Sequence, residues 1–293
     1  MMRHFKISSH FIAILTIAIW GETFISTKLL LHAGLSPADI FMYRFSIAYI
    51  CTLVICHDHL FAQNWKDELR FILIGALGGS LYFLTENESL VHAQASDVSI
   101  IVTSCPIITS IIMALFYKSE RLVPRQYLGL IVAFIGIIFV ILNGKFILHI
   151  SPLGYMLALG AALCWAFYSL VIKGIVNKYS IWFINRKTFI YGLLTIIPYY
   201  FLVSPLKTDT AILFQPAVCA NIIYLGLVAS MLCFVMWTYA MKEIGTVRAS
   251  VYMYLNPLFT VFFAVIILHE TITWMALAGL FILILGMIMA EKK

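Results

Sequence analysis

Long, nearly unbroken apolar runs limit what this chain can fold into. They fall near 8–30, 38–56, 69–90, 96–117, 125–143, 152–173, 182–203, 217–240, 247–268 and 272–290. A helix needs about 20 apolar residues to cross a bilayer, and each run is close to that length. The breaks carry turn signals: Leu35-Ser36-Pro37, Asn143-Gly144, Ser151-Pro152, Ser204-Pro205 and Gln215-Pro216. Only His269-Glu270-Thr271 separates the last two runs, which fits a tight helical hairpin. The sequence predicts an all-α integral membrane protein with ten transmembrane helices. Composition agrees: of 293 residues, 63% are hydrophobic and 11% charged, where a soluble domain carries about 25% charged residues. That balance excludes an ordinary soluble globule. It also excludes a nucleic-acid binder, because the net charge of +6 comes from few, scattered charges. An outer-membrane barrel would show short alternating segments instead. Arg3 and Lys6 precede the first run as in a signal peptide, but the run continues to about Leu31 without a small-residue cleavage site. It reads as a retained first helix.

Lys and Arg set the direction of the spans. One side collects Arg3, Lys6, Lys66, Arg70, Lys118, Arg121, Arg125, Lys173, Lys178, Lys242, Arg248, Lys292 and Lys293. The other collects only Lys145 and Lys207. Both termini are therefore expected in the cytoplasm.

The chain is also written twice. Trp20 and Lys28 match Trp165 and Lys173 at the same internal spacing, and Arg44 and Tyr49 match Arg186 and Tyr191. Gly75, Phe83, Ser99 and Pro106 match Gly226, Phe234, Ser250 and Pro257 at a constant separation of 151 residues. Glu120, Gly129 and Gly136 match Glu270, Gly279 and Gly286 at a separation of 150. An odd number of helices per copy turns the second copy upside down. Inverted repeats of this kind build secondary transporters, with a site near the midplane between the halves.

In these motifs the chain resembles the drug/metabolite transporter superfamily, of the EamA type. The resemblance rests on Trp20-Gly21, Tyr43-Arg44-Phe45, Ser99 to Pro106, Phe116-Tyr117-Lys118-Ser119-Glu120, and Gln126-x-x-Gly129 with Gly136. Asn256-Pro257, Leu268-His269-Glu270, Gly279 and Gly286 repeat the pattern, so it covers essentially the whole chain. It implies two EamA-like five-helix repeats, 1–146 and 147–293, the second inverted. It also implies an inner (plasma) membrane location and export or exchange of small metabolites. It names no substrate, since one fold serves many.

Ionisable groups inside spans are costly and usually functional. Glu22, Glu86, Glu88 and Asp97 lie at a similar outer depth, with Lys28 and Arg44. In the repeat register Phe167, Trp237 and Tyr239 stand where Glu22, Glu86 and Glu88 stand. One cavity wall is thus expected to be acidic and the other aromatic. That pairing suits a cationic or zwitterionic substrate with an apolar part, through charge pairing and cation–π contact. It also suits a proton-coupling site. Residues two apart point about 200° apart on a helix. Glu86 therefore shares a face with Gly75, Gly79 and Tyr82, and Glu88 with Leu77, Leu81 and Leu84. A stripe of small residues marks close helix packing or a cavity wall. Glu86 and Trp237 are expected to face each other across the cavity, lined also by Trp20, Trp165, Tyr168, Tyr239, Tyr252, Tyr254 and Asn256. Glu22 joins Glu86 as a candidate for substrate binding or coupling. Lys28, Arg44, Arg186 and Glu88 are candidates for structural or counter-ion roles. Glu120 and Glu270 read as hairpin residues. Pro106 and Pro257 interrupt the fourth and ninth runs and are candidate gating kinks.

Other chemistry finds little support. Cys56-His57-Asp58-His59 lacks further ligands and reads as a solvated loop, so no metal and no cofactor is expected. No Gly-x-Ser-x-Gly elbow or phosphate-binding Gly-Lys-Ser/Thr loop occurs. The six cysteines form no Cys-x-x-Cys pair and read as structural thiols. An enzyme or lipid-handling protein would need a nucleophile or metal constellation at one depth, and none stands out. The leading expectation is an exporter or exchanger of an amino acid or amine, with the lipid bilayer and a small molecule as partners, its transport either passive or coupled to protons through Glu22 or Glu86. An importer, for instance of sugars, would share the fold. Gly129 and Ala133 support helix packing either within the chain or between copies, so the oligomeric state stays open.

Overall fold

The computed structural model describes residues 2–57, 59–117, 123–142, 151–203 and 210–291. Glu120, Asp58, Lys118, Arg121, Lys145, Lys207, Lys292, Lys293 and the turns Asn143-Gly144 and Ser204-Pro205 lie outside them, as do the side chains of Arg3 and Lys6.

The described chain folds into helices joined by short turns: α1 (Met2–His32), α2 (Pro37–Ile55), α3 (Trp65–His92), α4 (Ala95–Phe116), α5 (Pro124–Leu142), α6 (Pro152–Lys173), α7 (Ile181–Leu202), α8 (Pro216–Ile244), α9 (Thr246–Ile267) and α10 (Trp274–Glu291). Seven helices among the described residues are long and apolar enough to cross a membrane: Ser9–His32 within α1, and α2, α3, α4, α6, α8 and α9. The outer surface is apolar, with Val54, Leu115, Phe116, Phe201, Phe214, Trp274 and Phe281 all exposed. A soluble monomer does not carry apolar patches of this extent. Lipid accommodates them, and the protein is a multi-pass membrane protein.

Local chemistry sets the helix ends. Ser36, Ser151 and Ser180 cap α2, α6 and α7, each accepting a backbone N–H three residues on. The start of α3 differs from the expected position near 69. Asn64 accepts the Asp67 N–H at 2.8 Å, so the helix begins at Trp65 and includes a polar turn that an apolar scan misses. Gly245, at φ 89°, ends α8 four residues later than expected.

Matching irregularities occur in both halves. A π-helical stretch interrupts α3 at Ala76–Ser80 and α8 at Tyr224–Leu232. The helix breaks at Thr103–Ser104 in α4, and tightens to a 3-10 turn at Tyr252–Leu255 in α9. Pro106 and Pro257 lie just beyond and start the next helical stretch, where a missing N–H costs nothing.

Packing crosses between halves. α1 lies against α8 and α9, while α6 lies against α3 and α4; α2 meets α7, and α5 meets α10. Lipid tails are as apolar as leucine, so close van der Waals fit drives these contacts. The α5–α10 crossing is the tightest. A Cβ added at Gly286 would lie 2.2 Å from the Ala133 nitrogen, and one at Gly129 would lie 2.4 Å from the Ala290 nitrogen. Gly129 and Ala133 thus pack within the chain.

Candidate functional site

Trp20 repeats on α1 as Thr23 and Phe24, one turn on and on one face. On α3 the same spacing aligns Tyr82 and Phe83 with Glu86. These two faces meet Arg44 of α2, Trp165 of α6, Phe234 of α8, and Met253 and Asn256 of α9 around a small central cavity. Its volume is about 20 Å3, room for about one water. Aromatic rings build the walls. Trp20 meets Trp165 edge-on with centroids 5.4 Å apart, and Tyr82 lies 5.1 Å from Trp165. Such pairs hold each other at fixed angles and keep the wall rigid.

Two buried charges enter this aromatic box. Glu86 is 6% exposed, and its Oε1 accepts the Tyr82 hydroxyl at 2.6 Å. Arg44 is 1% exposed. Its Nε donates to Ser230 Oγ at 2.9 Å, and its guanidinium carbon sits 4.2 Å above the Phe83 ring. Arg44 Nη1, Trp165 Nε1 and Asn256 Oδ1 are buried without a hydrogen-bond partner. Buried polar atoms are normally satisfied, so three open valences around one cavity point to ligand chemistry.

At one end of the bundle a carboxylate ties two distant segments together. Glu270 reaches from the α9–α10 turn to the start of α4, where its carboxylate accepts Ala95 N–H at 2.9 Å, Ser96 N–H at 3.2 Å and Ser96 Oγ–H at 2.6 Å. It acts as the N-terminal cap that Gln94 does not supply. His269, at φ 54°, turns the chain back so that Glu270 N–H reaches the Ala264 carbonyl. Lys28 donates to the Ala93 carbonyl beside this clasp, and Tyr155 donates to Asp97 at 3.0 Å.

The other end is open. A cavity of about 650 Å3 is lined by His10, Pro106, Ser110, Gln126, Lys173, Asn177, Lys242, Arg248 and Tyr254, among others. The 3-10 turn of α9 separates the two spaces: Tyr254 lines the large cavity and Met253 the small one.

The structure brings Trp20, Glu86, Trp165, Asn256 and Arg44 together. Tyr168 is buried behind Trp165, with ring centroids 4.9 Å apart. Trp237 is buried against Trp20 at 5.2 Å, behind the lining and not across it from Glu86. Glu22 lies outside the box. It points to the α1–α8 seam, where its Oε1 accepts from Ser26 at 2.9 Å and Tyr224 lies alongside. Trp20 and Glu22 are two apart on one helix and cannot share a face. Tyr239 is half-buried away from the cavity for the same reason, and Phe167 is exposed, so the expected aromatic wall comes from other residues. Glu88 is half-exposed, 3.6 Å from His92. Gly75 and Gly79 pack on Tyr191 and Gly192 of α7, so that stripe is a helix contact. Arg186 donates to the carbonyls of Cys56 and His59 and pins the turn after α2. The sequence reading missed Thr23, Phe24, Phe83, Phe234 and Met253. One-turn spacing from Trp20 and Glu86 would have found the first three. All six cysteines are free, and no group of His, Cys, Asp or Glu among the described residues could hold a metal ion.

The EamA-like transporter family model matches residues 7–142 and 152–291. The chain belongs to the EamA-like transporter family. Relatives extend over nearly the full length. An uncharacterised transporter of Archaeoglobus fulgidus is 25% identical over 97% of this chain and 98% of its own. A probable amino-acid metabolite efflux pump of Salmonella typhimurium is 27% identical over 94% of this chain and 92% of its own. A probable terminal-alkyne amino-acid exporter of Streptantibioticus cattleyicolor is 24% identical over 96% and 92%. A crystal structure superposes with a TM-score of 0.70 over 97% of both chains at 16% identity, which speaks to fold alone.

Proposed function

We propose that this EamA-family chain is a ten-span secondary transporter that exports or exchanges a small amphipathic metabolite, an amino acid or amine, by alternating access. Residues 1–146 and 147–293 form its two inverted five-helix repeats, set in the inner (plasma) membrane with both termini cytoplasmic. The crossed packing supports the repeats: α1 on α8 and α9 has its counterpart in α6 on α3 and α4. Lys173, Lys242 and Arg248 line the large cavity, which supports a cytoplasmic opening under the positive-inside rule. In this reading the Glu270 clasp lies on the outer side, and the arrangement corresponds to an inward-facing state.

The observation that carries this reading is the pair of buried charges in an aromatic box between the Glu270 clasp and the large cavity. The relatives named for amino-acid efflux and export agree with it. Glu86 is also the group through which protons would couple. A thermal-shift screen of detergent-purified protein against amino acids, amines and sugars, at acidic and neutral pH, tests it. A ligand that binds only the folded state adds about 2.7 kcal/mol at a hundredfold excess over its Kd. Stabilisation by amino acids or amines supports the reading; stabilisation by sugars alone contradicts it.

Removing the outer clasp gives a further expected outcome. Glu270→Ala frees the α4 N-terminus and costs about 1 kcal/mol of stability, as for lost helix caps. It also shifts the population outward. A cysteine introduced at Ser96 in that background reacts faster with an external maleimide than in the parent; unchanged labelling would show that Glu270 does not close the outer side.

A further inference from the structure

Arg44 and Glu86 come from different helices, line one cavity and carry opposite charges, yet no ion pair among the described residues joins them. Among the described residues Glu86 accepts from Tyr82. Arg44 uses Nε on Ser230 and leaves Nη1 unpartnered at full burial. The two charges attract each other across the cavity, but no hydrogen bond among the described residues joins them, and a buried pair without one does not recover its desolvation cost. The repeat supplies a control. Arg186, the counterpart of Arg44, spends its guanidinium on two loop carbonyls. Arg44 holds no loop.

We propose that Arg44 and Glu86 form a two-ended receptor that selects zwitterions, with the substrate carboxylate on Arg44, its ammonium on Glu86 and its apolar part among the rings. The proposal rests on the reading of the central cavity as the transport site, and narrows its substrate from amines in general to amino acids. A guanidinium matches a carboxylate with two parallel hydrogen bonds. The unpartnered Trp165 Nε1 adds a donor, and the unpartnered Asn256 Oδ1 adds an acceptor for the ammonium. The indole faces offer cation–π contact. A plain amine would leave Arg44 unmatched and bring a second cation beside it. A plain carboxylic acid would leave Glu86 unmatched. The cavity in this state admits about one water, so loading requires the rings of Trp20, Trp165 and Tyr82 to part.

The test uses the purified full chain in proteoliposomes and two matched sets of unlabelled competitors. One set is L-phenylalanine, phenethylamine and 3-phenylpropionate; the other is L-leucine, 3-methylbutylamine and 4-methylpentanoate. Each set competes against its own labelled amino acid and, separately, its own labelled amine in exchange. A site built to hydrogen-bond both groups rejects analogues lacking either, here by at least about tenfold. Arg44→Met should remove the preference for the amino acid over its amine, while Glu86→Gln should remove the preference over the acid. The wild-type comparison needs no variant to fold, and Arg44→Lys, which keeps the charge, should restore part of the selectivity. An amine that competes as well as its amino acid overturns the zwitterion receptor and leaves the transport site standing. Failure of all six compounds to bind overturns the transport reading itself, and the receptor with it.

Discussion

Glu86→Gln cuts transport to a residual flux and leaves folded protein in the membrane. The substitution keeps the shape of the side chain and an oxygen that accepts the Tyr82 hydroxyl, so the packing of α3 against α6 is preserved. What it removes is the negative charge inside the aromatic box. A charge-assisted hydrogen bond contributes about 1.5–3 kcal/mol, equivalent to a loss of roughly ten- to hundredfold in affinity for a cationic group. If protons enter through the same carboxylate, the residual flux also loses its response to a pH gradient. Flux through reconstituted protein, beside its melting temperature, separates a lost site from a lost fold. Full, pH-dependent transport by the variant would remove Glu86 from the mechanism.

The second large effect is structural. Gly286→Val places a branched side chain where a Cβ alone would lie 2.2 Å from the Ala133 nitrogen and 2.6 Å from the Gly129 carbonyl oxygen. Both obstacles are backbone and cannot rotate aside. The α5–α10 pair must separate, and the overpacking costs about 3 kcal/mol. Most of the protein should be lost from the monodisperse peak of a detergent-solubilised sample, with a clearly lowered melting temperature in the remainder. Phe281→Val, on the exposed face of the same helix, is the control and should change little. A Gly286→Val protein that melts like its parent would contradict the close crossing.

Much of the architecture was legible because lipid imposes one demand on every span. Apolar length marked the helices, and the Pro and Gly punctuation marked most of their ends. The start of α3 escaped because a polar first turn, capped by Asn64, carries no apolar signal. The site was harder to read. Depth alone groups Glu22 with Glu86, although helical phase already sets Glu88 apart from Glu86 on α3. Glu22 is two residues from Trp20 and Glu88 two from Glu86, and both turn away from the box. Trp237 and Arg44 show the limit of repeat logic. Register placed Trp237 opposite Glu86, but the structure puts it one layer behind, against Trp20. Arg44 and Arg186 match in sequence, but one lines the cavity and the other pins a loop. Glu270 was assigned to its own hairpin; its partners lie on α4, a contact between distant segments that no local pattern encodes.

A cavity that carries a small amino-acid-like solute by alternating access must exchange that solute across the bilayer. Counterflow tests it most directly. Proteoliposomes loaded with unlabelled amino acids are diluted into trace labelled L-phenylalanine or L-leucine. Label should accumulate transiently above equilibrium, dependent on the internal load and much reduced with the Glu86→Gln variant. Label that never exceeds the level in protein-free liposomes, across amino acids and amines alike, would contradict it.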